Sequence, residues 1–226
     1  MKPQLLKNLY INRRGWIVAT GKGLNLIDTS LFKNETLIGL NRAYLKDDLH
    51  FSYLVTMNHH VEKHYGKEIE KYDCIAKFGS RLSCDNCVHL KWGNTPYTFE
   101  GDIEKFLWQG HTVTFAAMQV AFYLGFKEVY LIGLDHYFDY STFEGPKEGD
   151  KKNVIYSKGE DINHFAHNYF EKGHSHARAE PRITEKAYKV ARVYYENHGR
   201  ILANASVVTA LEEIYLPRVD YKEVLK

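Results

Sequence analysis

Six short apolar runs, each cut off by glycine or by a polar pair, constrain this chain more than any other feature. Gly15-Trp16-Ile17-Val18-Ala19-Thr20 stops at Gly21-Lys22-Gly23, Thr36-Leu37-Ile38-Gly39-Leu40 at Asn41-Arg42, and Tyr53-Leu54-Val55-Thr56-Met57 at Asn58-His59-His60. Residues 74–78 form a weaker run; residues 129–134 are the most apolar and end at Asp135-His136; residues 200–203 are the last. Runs of this length without polar alternation predict strands buried on both faces, as in a parallel sheet. Between them lie helical stripes. Val113, Ala116, Ala117, Val120, Ala121 and Leu124 mark residues 112–124, with Gly125 as the stop. Ala187, Val190, Ala191 and Tyr194 mark residues 183–197, ended by His198-Gly199. Leu24, Ile27 and Leu31 sit at a looser helical spacing after the first run. Strands alternating with helices predict one α/β, Rossmann-like, doubly wound domain with a mainly parallel sheet over residues 1–226.

In such a sheet ligands collect at the C-terminal strand ends. The chain places Gly21-Lys22-Gly23, Asn41-Arg42, Asn58-His59-His60 and Asp135-His136-Tyr137 there. Residues 139–161 are polar, interrupted by Gly145-Pro146 and Gly149, with Val154-Ile155 as their one aliphatic pair. A stretch of this kind directly after a strand end predicts a flexible lid.

Charge and cysteine content narrow the function. With 30 Lys+Arg against 28 Asp+Glu, the chain lacks the basic excess of a nucleic-acid binder. No apolar run is long enough for a membrane-spanning helix, which leaves a soluble or membrane-peripheral protein as the expectation. The N-terminus carries no apolar segment followed by a cleavage site, and three cysteines make no even disulfide framework, so a cytoplasmic location is expected. Cys84 and Cys87, with Cys74 and His89 nearby, offer an incomplete zinc pattern; free thiols are the plainer reading.

Three further patterns bear on chemistry. Gly21-Lys22-Gly23 follows the first strand, where backbone N–H groups can meet a phosphate, although Leu26 stands where a dinucleotide fingerprint needs its third glycine. His164, His167, His174 and His176 crowd into thirteen residues ahead of the last helix, and an imidazole near neutrality can take a proton from a hydroxyl nucleophile. No Asp-x-Asp and no Gly-x-Ser-x-Gly occurs, which disfavours metal-dependent sugar transfer and an α/β-hydrolase.

The run from Ile17 to Asp28, Gly39-Leu40-Asn41-Arg42-Ala43-Tyr44, and above all VTFAAMQVAFYLGFKEVYLIGLDHY from Val113 to Tyr137 resemble the DUF115 group. That group includes 6-hydroxymethylpterin diphosphokinase-like proteins and is related to the bacterial sialyltransferases of glycosyltransferase family 42. Asn163-His164-Phe165, Tyr169-Phe170, Gly173-His174-Ser175 and Pro217-Arg218-Val219-Asp220-Tyr221 extend the resemblance over most of the chain. It implies a single Rossmann-like domain with a lid and no metal. It further implies His174 as general base, with His176 as the alternative two residues on. Asn41 and Asn58 would contact the donor, Tyr137 its phosphate, and Thr112 the site from the start of the central helix. Two departures stand out: Lys22-Gly23 replaces the family's usual Pro-Ser, and Val113 takes the place of a donor-contacting serine.

The function so implied is metal-independent glycosyl transfer from a CMP-activated, sialic-acid-like sugar to a glycan acceptor in surface-glycan synthesis. Gly21, Lys22, Gly23, Asn41, Asn58, Thr112, Asp135, Tyr137 and His164 would form the donor site, and His174 or His176 would act on the acceptor. The alternatives are pyrophosphoryl transfer from ATP, with Mg²⁺ held by carboxylates such as Asp135, and a non-catalytic nucleotide-binding relative.

Overall fold

The computed structural model describes residues 1–93 and 97–226. The six apolar runs become strands of one seven-stranded sheet: β1 (Arg14–Val18), β2 (Leu37–Leu40), β3 (Tyr53–Val55), β4 (Ala76–Gly79), β8 (Glu128–Ile132) and β12 (Ile201–Asn204), joined by β5 (Cys87–His89). Their order is β12-β8-β1-β2-β3-β4-β5, and every neighbouring pair is parallel. A two-stranded pair, β6 (Lys91–Trp92) and β7 (Phe106–Leu107), lies between β5 and the central helix. This is the α/β Rossmann-like architecture the runs predict.

Helices cover both faces. α2 (Val113–Leu124) is buried at every position from Thr114 to Leu124, because it is enclosed by the sheet on one side and α3 (Pro181–Asn197) on the other. A helix apolar all round is stable only in such a place. Thr112 caps it, accepting from the Thr114 N–H, and Gly125 leaves it at φ 93°, a left-handed turn that favours glycine. The other face carries α1 (His59–Lys71), for which the sequence reading made no provision. Its composition is mostly charged residues and histidine, and its apolar positions in the core, Val61, Tyr65 and Ile69, are spaced four apart. A short α4 (Tyr221–Val224) closes the chain on that face, with Tyr221 buried and its hydroxyl accepting from the Asp28 N–H.

Two expectations are corrected. The spacing of Leu24, Ile27 and Leu31 does not make an α-helix: the chain crosses from β1 to β2 through two 3₁₀ turns, Lys22–Leu26 and Thr29–Phe32. Nor are residues 139–161 without structure. They carry β9 (Phe143–Glu144) and β10 (Val154–Ser157), and β10 pairs antiparallel with both β9 and β11 (Ser175–Ala177). Phe143, Ile155 and Ser157 are buried, while every residue from 144 to 152 is exposed. The expected lid is therefore a hairpin with an exposed tip, tied at its base by paired hydrogen bonds between the Asn163 amide and the Asp139 backbone, 2.7 Å each.

Candidate active site at the strand ends

The strands β1 to β5 run outward in chain order; α2 then returns the chain to set β8 on the other side of β1. The reversal falls between β1 and β8, where open α/β sheets form their ligand crevice. The turn after β1 and the end of β8 meet there. The Gly21 N–H donates to the Gly133 carbonyl at 2.9 Å, and the Gly23 N–H donates to Asp135 Oδ2 at 2.7 Å. A Cβ at Gly21 would lie 2.5 Å from Asp135 Cγ, so glycine is what lets the turn close around this carboxylate. Both N–H groups expected to cradle a phosphate, those of Gly21 and Gly23, have partners within the chain. Lys22 alone of the three is exposed. Burial raises the Asp135 carboxyl above its ordinary value against the lowering effect of the backbone N–H groups, and Oδ1 is sealed without a partner.

The other expected donor contacts are placed at the strand ends, several of them engaged in local structure. Asn41 stands at φ 49° with its side-chain oxygen accepting from Thr56 Oγ1 at 3.1 Å, linking the ends of β2 and β3. Asn58 caps α1 by accepting from the His60 N–H at 2.9 Å. Thr112 is the α2 cap, and Tyr188 of α3 reaches the Thr112 and Thr114 hydroxyls. Tyr137 is 67 % exposed. Its neighbour His136, at φ 53°, is held by Glu185 at 3.2 Å.

The histidine-rich segment covers these ends. Gly21 and His164 form an isolated antiparallel bridge, the Phe165 N–H donates to the Thr20 carbonyl at 3.0 Å, and Asn25 Nδ2 donates to the Phe165 carbonyl at 2.9 Å. Arg42, 4 % exposed, anchors the segment to β2. Its guanidinium donates to the Asn168 and Tyr169 carbonyls and lies 3.7 Å from the centre of the Tyr65 ring.

Within that segment the histidines fall into two environments. His164 Nδ1 lies 2.8 and 2.9 Å from the two oxygens of Asp161, whose side chain is fully buried. The carboxylate also accepts the Asn163 and His164 N–H groups. These bonds outweigh desolvation, and the Asp161 carboxyl stays below its ordinary value. The His164 ring is stacked 3.8 Å from Tyr169, nearly parallel to it. Among the described residues Nε2 has no hydrogen-bond partner, it is not sealed, and 22 % of the side chain is open.

His174 is the reverse. It is 3 % exposed, lies face to face with Phe170 at 4.4 Å and against His64 and Tyr65, and neither ring nitrogen has a partner. Burial pushes its pKa down to about 3. Gly173 supplies the bend ahead of it at φ 82°, but the bend turns the ring inward. His176, on β11, is half-buried against Phe170 and Phe143 with Nδ1 sealed and unpartnered, and burial pushes its pKa down to about 4. In this arrangement the His174 ring is closed off from solvent, and among the described residues no carboxylate is hydrogen-bonded to His176. The residues that sequence reasoning missed are Asp161, Tyr169 and Arg42, which orient and anchor what it found. The i, i+3 spacing of Asp161 and His164 was the available signal.

Cys84 and Cys87 form a disulfide, correcting the readings of free thiols and of a zinc ligand set; the turn in which the Cys87 N–H bonds the Cys84 carbonyl brings their Cα atoms to 5.1 Å. Cys74 is free. Among the described residues no three His, Cys, Asp or Glu side chains converge as a metal site, and no helix is long and apolar enough to cross a membrane. No protein-family model and no curated protein matches the sequence.

Proposed function

We propose that the chain is a metal-independent glycosyltransferase, taking a sialic-acid-like sugar from a CMP donor and passing it to a glycan hydroxyl in surface-glycan synthesis. The observation that carries this reading is the convergence at the β1/β8 crevice. The C-terminal ends of β1, β2, β3 and β8 lie along one edge of the sheet with the N-terminus of α2, and a histidine-bearing segment is bridged directly onto the turn after β1. The positive end of the α2 dipole favours a phosphate there, and Lys22 and Tyr137 are the exposed groups nearest the turn and strand end that can meet the leaving phosphate. DUF115 resemblance supplies the donor class.

One observation favours a second reading. Oδ1 of Asp135 is a buried carboxylate oxygen with no hydrogen-bond partner at the end of β8, and a cation reaching it as the Gly21–Gly23 turn opens would satisfy it. With Mg²⁺ as that cation, the reading is pyrophosphoryl transfer from ATP. A thermal-shift panel of CMP, CDP, UDP, GDP and ATP, with Mg²⁺ and with EDTA, separates the two, because a bound ligand raises stability as RT ln(1 + [L]/Kd). Stabilisation by CMP that is indifferent to EDTA is expected. Stabilisation by ATP alone, lost with EDTA, would replace the sugar-transfer reading with the second one.

A further inference from the structure

We infer that His164, held by Asp161, is the general base of this site, in place of His174 or His176. The inference rests on the glycosyl-transfer reading for its substrate, a hydroxyl acceptor, but its geometry is independent of the donor.

Three observations carry it. First, the two oxygens of Asp161 face His164 Nδ1 at 2.8 and 2.9 Å. A carboxylate can only accept there, so Nδ1 carries the proton and the Nε2 lone pair is free. Second, the ring cannot turn away: Tyr169 stacks on it at 3.8 Å and Phe170 meets it edge-on at 5.1 Å. Tyr169 is itself fixed, its hydroxyl bonded to Thr20 at the end of β1 and receiving the Arg42 N–H at the end of β2. Third, the backbone of His164 is paired with Gly21, which sets the ring at the β1/β8 reversal and within electrostatic reach of Asp135. A buried carboxylate, an oriented imidazole and a free nitrogen at the ligand crevice are the parts of a base that must be positioned before it can act.

The acceptor oxygen forms its bond to the anomeric carbon as the bond from that carbon to the donor phosphate oxygen breaks, and CMP leaves with the electron pair. The hydroxyl proton passes to Nε2. The resulting imidazolium is stabilised by the Asp161 carboxylate and returns its proton to water. Asp161 does not touch the reacting atoms and is a positioning residue.

The experiment follows CMP release from CMP-N-acetylneuraminic acid, with lactose and with water as acceptor, in the wild type and in His164→Gln, Asp161→Asn and His174→Phe. In parallel, ¹⁵N-detected imidazole spectra give the tautomer of each ring. The expected result is a loss of about 10²–10⁴-fold in turnover for His164→Gln with CMP stabilisation retained, since the base touches the acceptor. His174→Phe should stay near wild type. Asp161→Asn should lower turnover less, because the imidazolium formed in the step loses its counter-charge while the ring itself remains. The spectrum should show Nδ1–H for His164, lost in Asp161→Asn. Normal turnover in His164→Gln overturns the inference and leaves the transferase reading standing. If no variant and no wild type releases CMP, the transferase reading fails. The tautomer then decides the inference: Nε2–H on His164 overturns it, and Nδ1–H keeps the oriented base for another hydroxyl nucleophile.

Discussion

His164 and His174 lie ten residues apart in one covering segment and both touch one ring, Phe170, the first edge to face and the second face to face, yet they are held in contrary ways. The first has a buried carboxylate on one nitrogen and an open face at the other; the second is closed in on all sides with neither nitrogen bonded. The contrast teaches that position along the chain does not give a histidine its chemistry. Orientation by a partner and access to solvent do, and both come from residues far away in sequence: Thr20 and Arg42 through Tyr169 for His164, and His64 and Tyr65 for His174.

The strongest way to break the contrast is to remove the ring that both touch. Phe170 is 5 % exposed, and Phe170→Ala should cost about 3–5 kcal/mol of stability, read from denaturant midpoints. It should also let water reach His174, whose ring would then titrate nearer its ordinary range by NMR. If His174 stays untitratable in that variant, its environment is not set by Phe170.

Asp161→Asn attacks the other side. The lost charge-assisted hydrogen bonds should cost about 1.5–3 kcal/mol, since the carboxylate is fully buried and has its partners in place. A smaller loss would mean that the asparagine amide reproduces the contact.

The mildest expected change sharpens the contrast at His174. His174→Phe replaces an unpartnered polar ring by an apolar one of similar shape, and stability should rise by about 1 kcal/mol. The pH dependence is the second readout. The folded state holds His174 and His176 below their ordinary value, so the unfolded chain binds more protons below about pH 6.5, where an unperturbed histidine titrates. Stability is therefore full above that pH and falls as the solution is acidified toward pH 3–4. His174→Phe should flatten this fall, leaving the share of His176. An unchanged slope would show that His174 is not neutral in the native state.

The sheet was legible because each strand announces itself twice, by an apolar run and by the glycine or polar pair that ends it. α2 was legible through its stripe, with Gly125 as its stop. α1 was not, because Val61, Tyr65 and Ile69 are three apolar positions among thirteen, and its charged face masks them. Residues 145–152 read as unstructured and are indeed exposed, but the flanking strands depend on pairing with Ser175–Ala177, a long-range partner that local composition does not reveal. For the site, the strand ends were found from the ends of the runs. What could not be found was which groups were already engaged. Asn58 reads the same as a ligand contact or as a helix cap, and the Gly21 turn the same whether it faces a phosphate or a carboxylate.

That last ambiguity has a consequence for any anionic ligand. The turn after β1 is not an empty receptor; it holds an internal occupant, the Asp135 side chain, tethered at an effective concentration no free anion can match. Ligand capture at this turn is therefore an exchange and not an addition. A phosphate gains the Gly23 N–H only as Asp135 gives it up, and the two negative charges cannot share the turn. Selectivity would then lie in what the newcomer offers the displaced carboxylate, whether a proton, a cation or a donor hydroxyl, more than in the phosphate itself.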